Sequence, residues 1–460
     1  MLKPRSWFCF GAFAPAAARK TSGKSRIHGT GGAAVICLLL LAISTALNAE
    51  GVYTLDWARQ QGTDRHDVAK GLAIDPAGNV YITGYRDYYA PYPTTYHNTF
   101  LSRYTPAGSQ TWHVERYASG SQIPGGVAVD SGSNVYFAGS HRTYGTSNDV
   151  LIGKCDASGA SIWTRTLSGT TYNDIGTDIT VDHQDYVYVC GYTQGTLGSS
   201  SFGYEDAFVA QYDSSGTRQW TQQVGAFSED IATAVAVDNM GSVYIAGNTE
   251  GDMQGQCAGY TDGFISKFAV DGAPGWTRQF GSSMQDEIES IRCDPEGNLY
   301  VVGSTRGDIA ATNAGSYDVF VRKYDPNGDC LWSRQFGTPG EDSGMGIDIG
   351  PDGGVYVTGG AYGDLGGTHA GWVDCFVTKL DASGDQLWTW QLGTPTLDMA
   401  TAVLAAPDGS VYVTGYTYGD IGGPNAGEYD TFLVRLVPEP ATLLMLTFGA
   451  AAALLKRRRA

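Results

Sequence analysis

Seven tyrosines, seven tryptophans and one constant spacing predict an all-β fold. The expected form is a seven-bladed β-propeller of four-stranded blades, closed by an N-terminal strand that completes the last blade. A tyrosine followed three residues later by glycine recurs at Tyr81, Tyr136, Tyr188, Tyr244, Tyr300, Tyr356 and Tyr412. The second series is Trp57, Trp112, Trp163, Trp220, Trp276, Trp332 and Trp388. From Trp220 and from Tyr244 onward the spacing is 56 residues every time, so one unit repeats without insertions.

Each unit reads as four short strands. In the fourth unit the first strand is Ala232 to Val237, small and apolar, which suits a crowded axis. The second, Val243 to Ala246, is apolar on both faces, and the third, Phe264 to Phe268, alternates. The fourth, Gly275 to Phe280, carries the tryptophan, a bulk that suits the wider rim. These aromatics are expected to serve core packing. Asp-Pro-Glu-Gly at 294–297 joins first strand to second, and Asp-Ser-Ser-Gly at 213–216 joins third to fourth. Both are the pattern of a type I turn followed by a left-handed glycine. The length beyond an ordinary blade of about 40–50 residues sits between strands two and three. The last unit stops after its third strand, Thr431 to Leu436, and the first begins with an orphan tryptophan strand, Tyr53 to Arg59. Joining the two leaves no open sheet edge.

Charge is distributed unevenly. Residues 50–455 hold 19 basic against 47 acidic residues, a net of −28, which repels phosphate backbones and excludes nucleic acid as a partner. Of eight cysteines, Cys9 and Cys37 precede residue 50. The other six show no C-x-x-C spacing, so no zinc site is expected, and their pairing stays open.

Residues 1–49 read as a signal peptide for Sec-type export: a basic front from Lys3 to Arg26, an apolar core from Ala33 to Ile43, and small residues at Ala46 and Ala49. The front is long, which leaves the true translation start open. Residues 50–436 form the propeller. In the tail, 437–460, Pro438, Glu439 and Pro440 precede an apolar segment at 441–455 and a basic cluster at 456–459. At 1.5 Å per residue the apolar segment spans about 22 Å, short of a bilayer core, and the basic cluster holds its end on the cytoplasmic side.

Blade one departs from the repeat. Tyr85 to Asn98, YRDYYAPYPTTYHN, is read as a long loop crowded with tyrosines and stiffened by two prolines. Tyr88, Tyr89, Tyr92 and Tyr96 are the candidate ligand contacts, because tyrosine rings stack on sugars and peptide groups. In blade two SGSQIPGG, Ser119 to Gly126, replaces the usual loop containing an aspartate.

The phrases EDIATAVAVDNMGSVYIAGNT and DCFVTKLDASGDQLWTWQLGT resemble the bacterial SBBP β-propeller repeat over roughly Val52 to Leu436. That resemblance implies a propeller in exported or surface proteins and no particular activity. DASGDQLW, Asp381 to Trp388, also resembles the tryptophan-docking repeat of quinoprotein-type propellers. Those have eight blades and dedicated ligands, so seven blades do not carry the quinone cofactor across. The tail VPEPATLLMLTFGAAAALLKRRRA is similar to the PEP-CTERM sorting signal. The resemblance implies recognition by an exosortase, a membrane-embedded transpeptidase, through Pro438, Glu439, Pro440 and the basic Arg457, Arg458 and Arg459.

Aspartates recur in three rings. Asp67, Asp174, Asp230, Asp286, Asp342 and Asp398 follow the tryptophan strand; Asp252, Asp308, Asp364 and Asp420 lie in the long loop. Asp149, Asp206, Asp262, Asp318, Asp374 and Asp430 precede the third strand. The first two sets share a face, where a carboxylate ring is a candidate calcium site. No loop shows the dense D-x-D-x-D-G spacing, and a device present once per blade points to capping of loop amides. The seven histidines are aperiodic, and His66 beside Asp67 reads as a chance surface pair. No G-x-S-x-G elbow or phosphate loop occurs, so no catalytic residue and no cofactor is assigned.

These features point to an exported, exosortase-processed envelope or extracellular protein of a Gram-negative-type bacterium. It is expected to be a non-enzymatic disc binding polysaccharide or a surface protein, its tail inserting transiently in the membrane. The alternative is an extracellular hydrolase, lyase or quinoprotein-like enzyme using the axial pocket. Carboxylates converging on the axis would favour the alternative; a lining of Ala, Gly and Val would end it.

Overall fold

Aspartate turn chemistry starts each blade. In blade four Asp238 Oδ1 accepts the amides of Met240 and Ser242, both at 2.9 Å, while Gly241 takes a left-handed φ of 82°. The turn joins Asp230–Val237 to Val243–Thr249, and Asp262–Phe268 and Pro274–Phe280 complete an antiparallel sheet in chain order. The computed structural model describes residues 53–89, 95–116, 120–143, 147–168, 171–198, 200–255 and 257–439. Within these residues there are seven such sheets of four strands. Neighbouring blades cover both faces of each sheet, so core clusters form between blades: Val302, Val319 and Val321 of blade five pack with Ile347, Val357 and Phe376 of blade six.

The tyrosine–glycine landmark now has a cause. The Tyr244 phenol is buried and donates to Asp238 Oδ2 at 3.0 Å. The same bond joins Tyr81, Tyr136, Tyr188 and Tyr300 to Asp75, Asp130, Asp182 and Asp294. Three residues on, the inner strand bulges, between Ala232 and Ala234 in blade four, and turns a carbonyl onto the glycine. A Cβ on Gly247 would lie 1.9 Å from the Ile231 carbonyl oxygen.

The tryptophans are rim staples between blades. The indoles of Trp57, Trp112, Trp163, Trp220, Trp276 and Trp332 each donate to a carbonyl in the outer turn of the next blade, at 2.9–3.2 Å. Each ring also closes over the left-handed glycine of that turn, for example Trp220 over Gly272. Two residues further, Arg59, Arg165, Arg278 and Arg334 donate through Nε to the same glycine's carbonyl and lie over the indole.

The ring closes as the orphan strand requires. Tyr53–Gln61 pairs antiparallel with Asp430–Pro438, Trp57 opposite Arg435 and Gln60 opposite Phe432. Blade seven therefore has no covalent outer turn, and Trp388 Nε1 finds no hydrogen-bond acceptor. Tyr53 fills the gap: its ring packs 4.8 Å from that of Trp388, and its hydroxyl donates to the Gly409 carbonyl at 3.0 Å and sits 3.1 Å from the Tyr356 hydroxyl.

Two expectations are corrected. Tyr85 to Asn98 is mostly ladder, not loop. The second and third strands of blade one run Val80–Tyr89 and Thr95–Tyr104, with Asp87 opposite His97 and Tyr88 opposite Tyr96. The ladder holds as far as Tyr89 opposite Thr95, and the aromatic and β-branched residues Tyr85, Tyr88, Tyr89, Thr95 and Tyr96 suit a strand. Of Ser119 to Gly126, the described part from Gly120 is likewise no loop substitute. It opens the inner strand Gly120–Val129, with Pro124 tolerated at the bulge before Val127. The six described cysteines are all free thiols.

Candidate functional site

In every blade the inner strand begins, and the second strand ends, on one face, which carries the long loops. The aspartate rings lie there, and they cap. Asp230, Asp286 and Asp398 each accept an amide four residues earlier at 2.5 Å. Asp252, Asp308, Asp364 and Asp420 accept the amide five residues on, at 2.7–2.8 Å. Asp262, Asp318, Asp374 and Asp430 each accept an amide at 2.8–2.9 Å and a glutamine side chain besides. Among the described residues no three His, Cys, Asp or Glu side chains converge as a metal site needs.

Two of these rings meet between blades. A Cβ on Gly225 would touch an oxygen of Asp206 and one of Asp230, at 2.4 and 2.9 Å. Burial, with repulsion from Asp206 added, pushes Asp230 up to about 6, and Asp286, Asp342 and Asp398 are raised for the same reasons. An acid raised above its unfolded value of 3.8 stabilises the fold fully below that pH and loses the contribution as pH climbs through about 6. Asp230→Asn is therefore expected to gain on the order of 2 kcal/mol relative to wild type between pH 4.5 and pH 8, read by urea unfolding. Identical pH slopes for the two proteins would exclude the coupling.

The axis breaks the symmetry. Three residues into the inner strand, Thr177, Thr233 and Thr401 donate to a carbonyl of the next blade, at 2.7, 2.8 and 3.1 Å. Blades one, five and six give up that bond for Lys70, Glu289 and Met345. Blades one and five are not neighbours in the ring, yet Lys70 and Glu289 act on each other electrostatically, which inner strands allow only where they converge on the axis. Loss of water and the nearby Glu287 push Glu289 up to about 8 against the pull of Lys70, and Lys70 is lowered by the same desolvation. Further along the axis Arg292 lies 3.5 Å from Asp348 and also pulls on Asp178 of blade three; burial raises both acids. The expected lining of Ala, Gly and Val is thus interrupted by a charged core.

The loop face carries an aromatic arc from blades six, seven and one. Tyr429 packs against Tyr418 at 4.3 Å, His66 at 4.6 Å and Tyr416 at 4.8 Å. Tyr416 in turn feels Tyr85 and Tyr362. Tyr85 packs on His97 at 4.8 Å, and burial and Asp87 push its phenol up to about 12, so it stays a hydrogen-bond donor. His66 pairs with Glu428 at 2.7 Å, not with Asp67, which takes Arg86 and Thr63. The strongly exposed aromatic rings among the described residues all belong to this face's loops: Tyr172, Phe202, Tyr204, Phe227, Tyr260, Trp372 and Tyr418. Phe227 is 92% exposed and Trp372 66%. A cavity of about 400 Å³ opens between blades four and five, lined by Glu250, Tyr260, Thr261, Met284, Gln285 and Arg306.

Of the tyrosines singled out in the sequence, Tyr96 is half-buried in the blade-one ladder, opposite Tyr88. The side chains of Tyr88 and Tyr89, all of Tyr92, residues 1–49, Pro440, the apolar segment 441–455, and Arg457, Arg458 and Arg459 lie outside the described residues. Pro438 ends the closing ladder and Glu439 follows it. Sequence reasoning missed the arc and the axial charges. Laying the repeats over one another and looking for departures at the threonine position would have found Lys70 and Glu289.

Seven four-stranded sheets, the last completed by the N-terminal strand, define a seven-bladed β-propeller. The SBBP β-propeller repeat matches residues 56–85, 162–198, 219–252 and 275–310, and the PEP-CTERM protein-sorting motif matches 436–459. The propeller thus carries four matches to the SBBP repeat, and the C-terminal PEP-CTERM motif implies export and exosortase-mediated sorting to the cell envelope or surface. Regulatory protein FlaEY of Caulobacter vibrioides is 31% identical over 174 residues, covering 34% of this chain and 18% of that protein's length. A protein of unknown function from Dyadobacter fermentans aligns with a TM-score of 0.46 at 10% identity, over 84% of this chain and 99% of its own. The Pan2 WD40 domain of Neurospora crassa gives 0.47 at 10%, over 83% and 95%.

Proposed function

We propose that the exported propeller is a non-enzymatic binding module for polysaccharide or a surface protein in the envelope or extracellular matrix, its loop face being the contact surface. The supporting observation is that, among the described residues, the strongly exposed aromatic rings all lie on that face, with the arc of Tyr85, Tyr362, Tyr416, Tyr418 and Tyr429. Tyr88, Tyr89, Tyr92 and Tyr96 are further candidate contacts from the blade-one segment. A glycan panel titrated with the purified protein is expected to give a hit that Trp372→Ala and Tyr418→Ala each weaken by about tenfold, the scale of one lost stacking contact. Unchanged affinity in both variants would refute the face. Unchanged affinity in a Tyr88/Tyr92/Tyr96 triple alanine variant would remove only that segment.

One observation favours a second reading. Glu289, held protonated near neutral pH beside Lys70, gives the channel an acid and an amine suited to hydrolase or lyase chemistry. Turnover of a bound glycan by wild type, abolished in Glu289→Gln, would establish it over the binding module.

A further inference from the structure

We infer that the loop face selects a polysaccharide bearing free amines, such as a deacetylated amino-sugar polymer. This rests on the binding-module reading above and names its ligand class.

The aromatic surface supplies flat rings for sugar faces, and the charge around it chooses the sugar. The long loops and inter-blade loops of blades four to seven carry Glu229, Glu250, Glu341 and Glu428 and the exposed Asp308 and Asp420. Arg306 is the one lysine or arginine in those loops, and it is engaged, stacked 4.5 Å from the Tyr317 ring and attracted to Glu341. Asp308 and Asp420 also cap their loops, but folding does not demand the glutamates of the inter-blade loops. The position held by Glu229 and Glu341 is Asn173, Gln285 and Leu397 in other blades. Glu229 and Glu341 are therefore free to vary, and with the other acids they lie on the face that also carries Trp372, Tyr260 and Tyr418.

A polyanion would be repelled by this surface, whereas an ammonium group gains both from the carboxylates and from the electron-rich faces of tyrosine and tryptophan. Between the two cationic polymers that fit, the position of the strand edges decides. The unpaired edges belong to the outermost strand of each blade, at the rim and not on the loop face, so a peptide lying on that face gains no main-chain pairing, the usual source of peptide affinity at a β surface. A pyranose chain needs none, because each ring brings a stacking face and its own amine.

The test titrates three probes into the full chain by calorimetry at pH 6: the glucosamine hexamer, its N-acetylated counterpart, and hexalysine. Wild type is expected to bind the glucosamine hexamer at least about tenfold tighter than the acetylated one. That affinity should fall about fivefold in Glu250→Gln/Glu341→Gln with melting temperature unchanged, and should weaken in about 0.3 M salt. Equal binding of both hexamers, unaffected by the double glutamine variant, would overturn the amine inference and leave the aromatic face standing. Hexalysine binding tighter than the glucosamine hexamer would overturn it in favour of a basic protein partner. Failure of all three probes and of the wider panel would bring down both.

Discussion

Deleting Tyr53–Gln61 is expected to make the propeller aggregate. The strand supplies the whole outer edge of blade seven, pairing from Tyr53 opposite Pro438 to Gln61 opposite Thr431. Without it Asp430–Pro438 becomes an open edge carrying Phe432, Leu433, Val434 and Leu436, a template for pairing between copies. Two inter-blade cores also lose a wall, because Trp57 packs with blade one and Tyr53 and Ala58 with blades six and seven. Loss of the Trp57 ring alone is on the order of 3–5 kcal/mol. The check is gel filtration and thermal melting of the deletion beside wild type. A monodisperse deletion protein melting within a few degrees of wild type would mean that the ring does not depend on its clasp.

Gly303→Ala is expected to cost about 3–5 kcal/mol, more than most exposed-site changes in the chain. Its added Cβ would lie 1.9 Å from the Glu287 carbonyl oxygen and 2.8 Å from the Phe320 ring. The inner strand cannot retreat, since its bulge between Ile288 and Ser290 sits against the axis. Gly353→Ala is the control. That glycine has a φ of 76° with open space around it, so its substitution pays only for the left-handed conformation, about 1 kcal/mol. Urea denaturation of both variants decides. If Gly303→Ala loses no more than Gly353→Ala, the repeated glycine answers to backbone conformation and not to the bulge.

Local chemistry dictated much of the molecule. An Asp with a left-handed Gly three residues on writes a turn anywhere, as Asp238 and Gly241 do, and a strict 56-residue period forces equal wedges. The orphan strand at Tyr53 and the missing strand after Leu436 announced the clasp, because an unpaired edge is costly whatever surrounds it. The prolines at 91 and 93 misdirected the reading of Tyr85 to Asn98, because a proline argues against strand only at its own position, while Tyr85–Tyr89 pairs with Thr95–Thr99. The functional surface had no local signature. Lys70 and Glu289 stand 219 positions apart and come within each other's field only because inner strands of non-adjacent blades converge on one axis. Tyr85 and Tyr429 become neighbours only when the two ends of the chain are zipped together. Turns and periods are settled by bonds between residues close in sequence, whereas the channel and the aromatic arc are products of closure and exist only once the ring is complete.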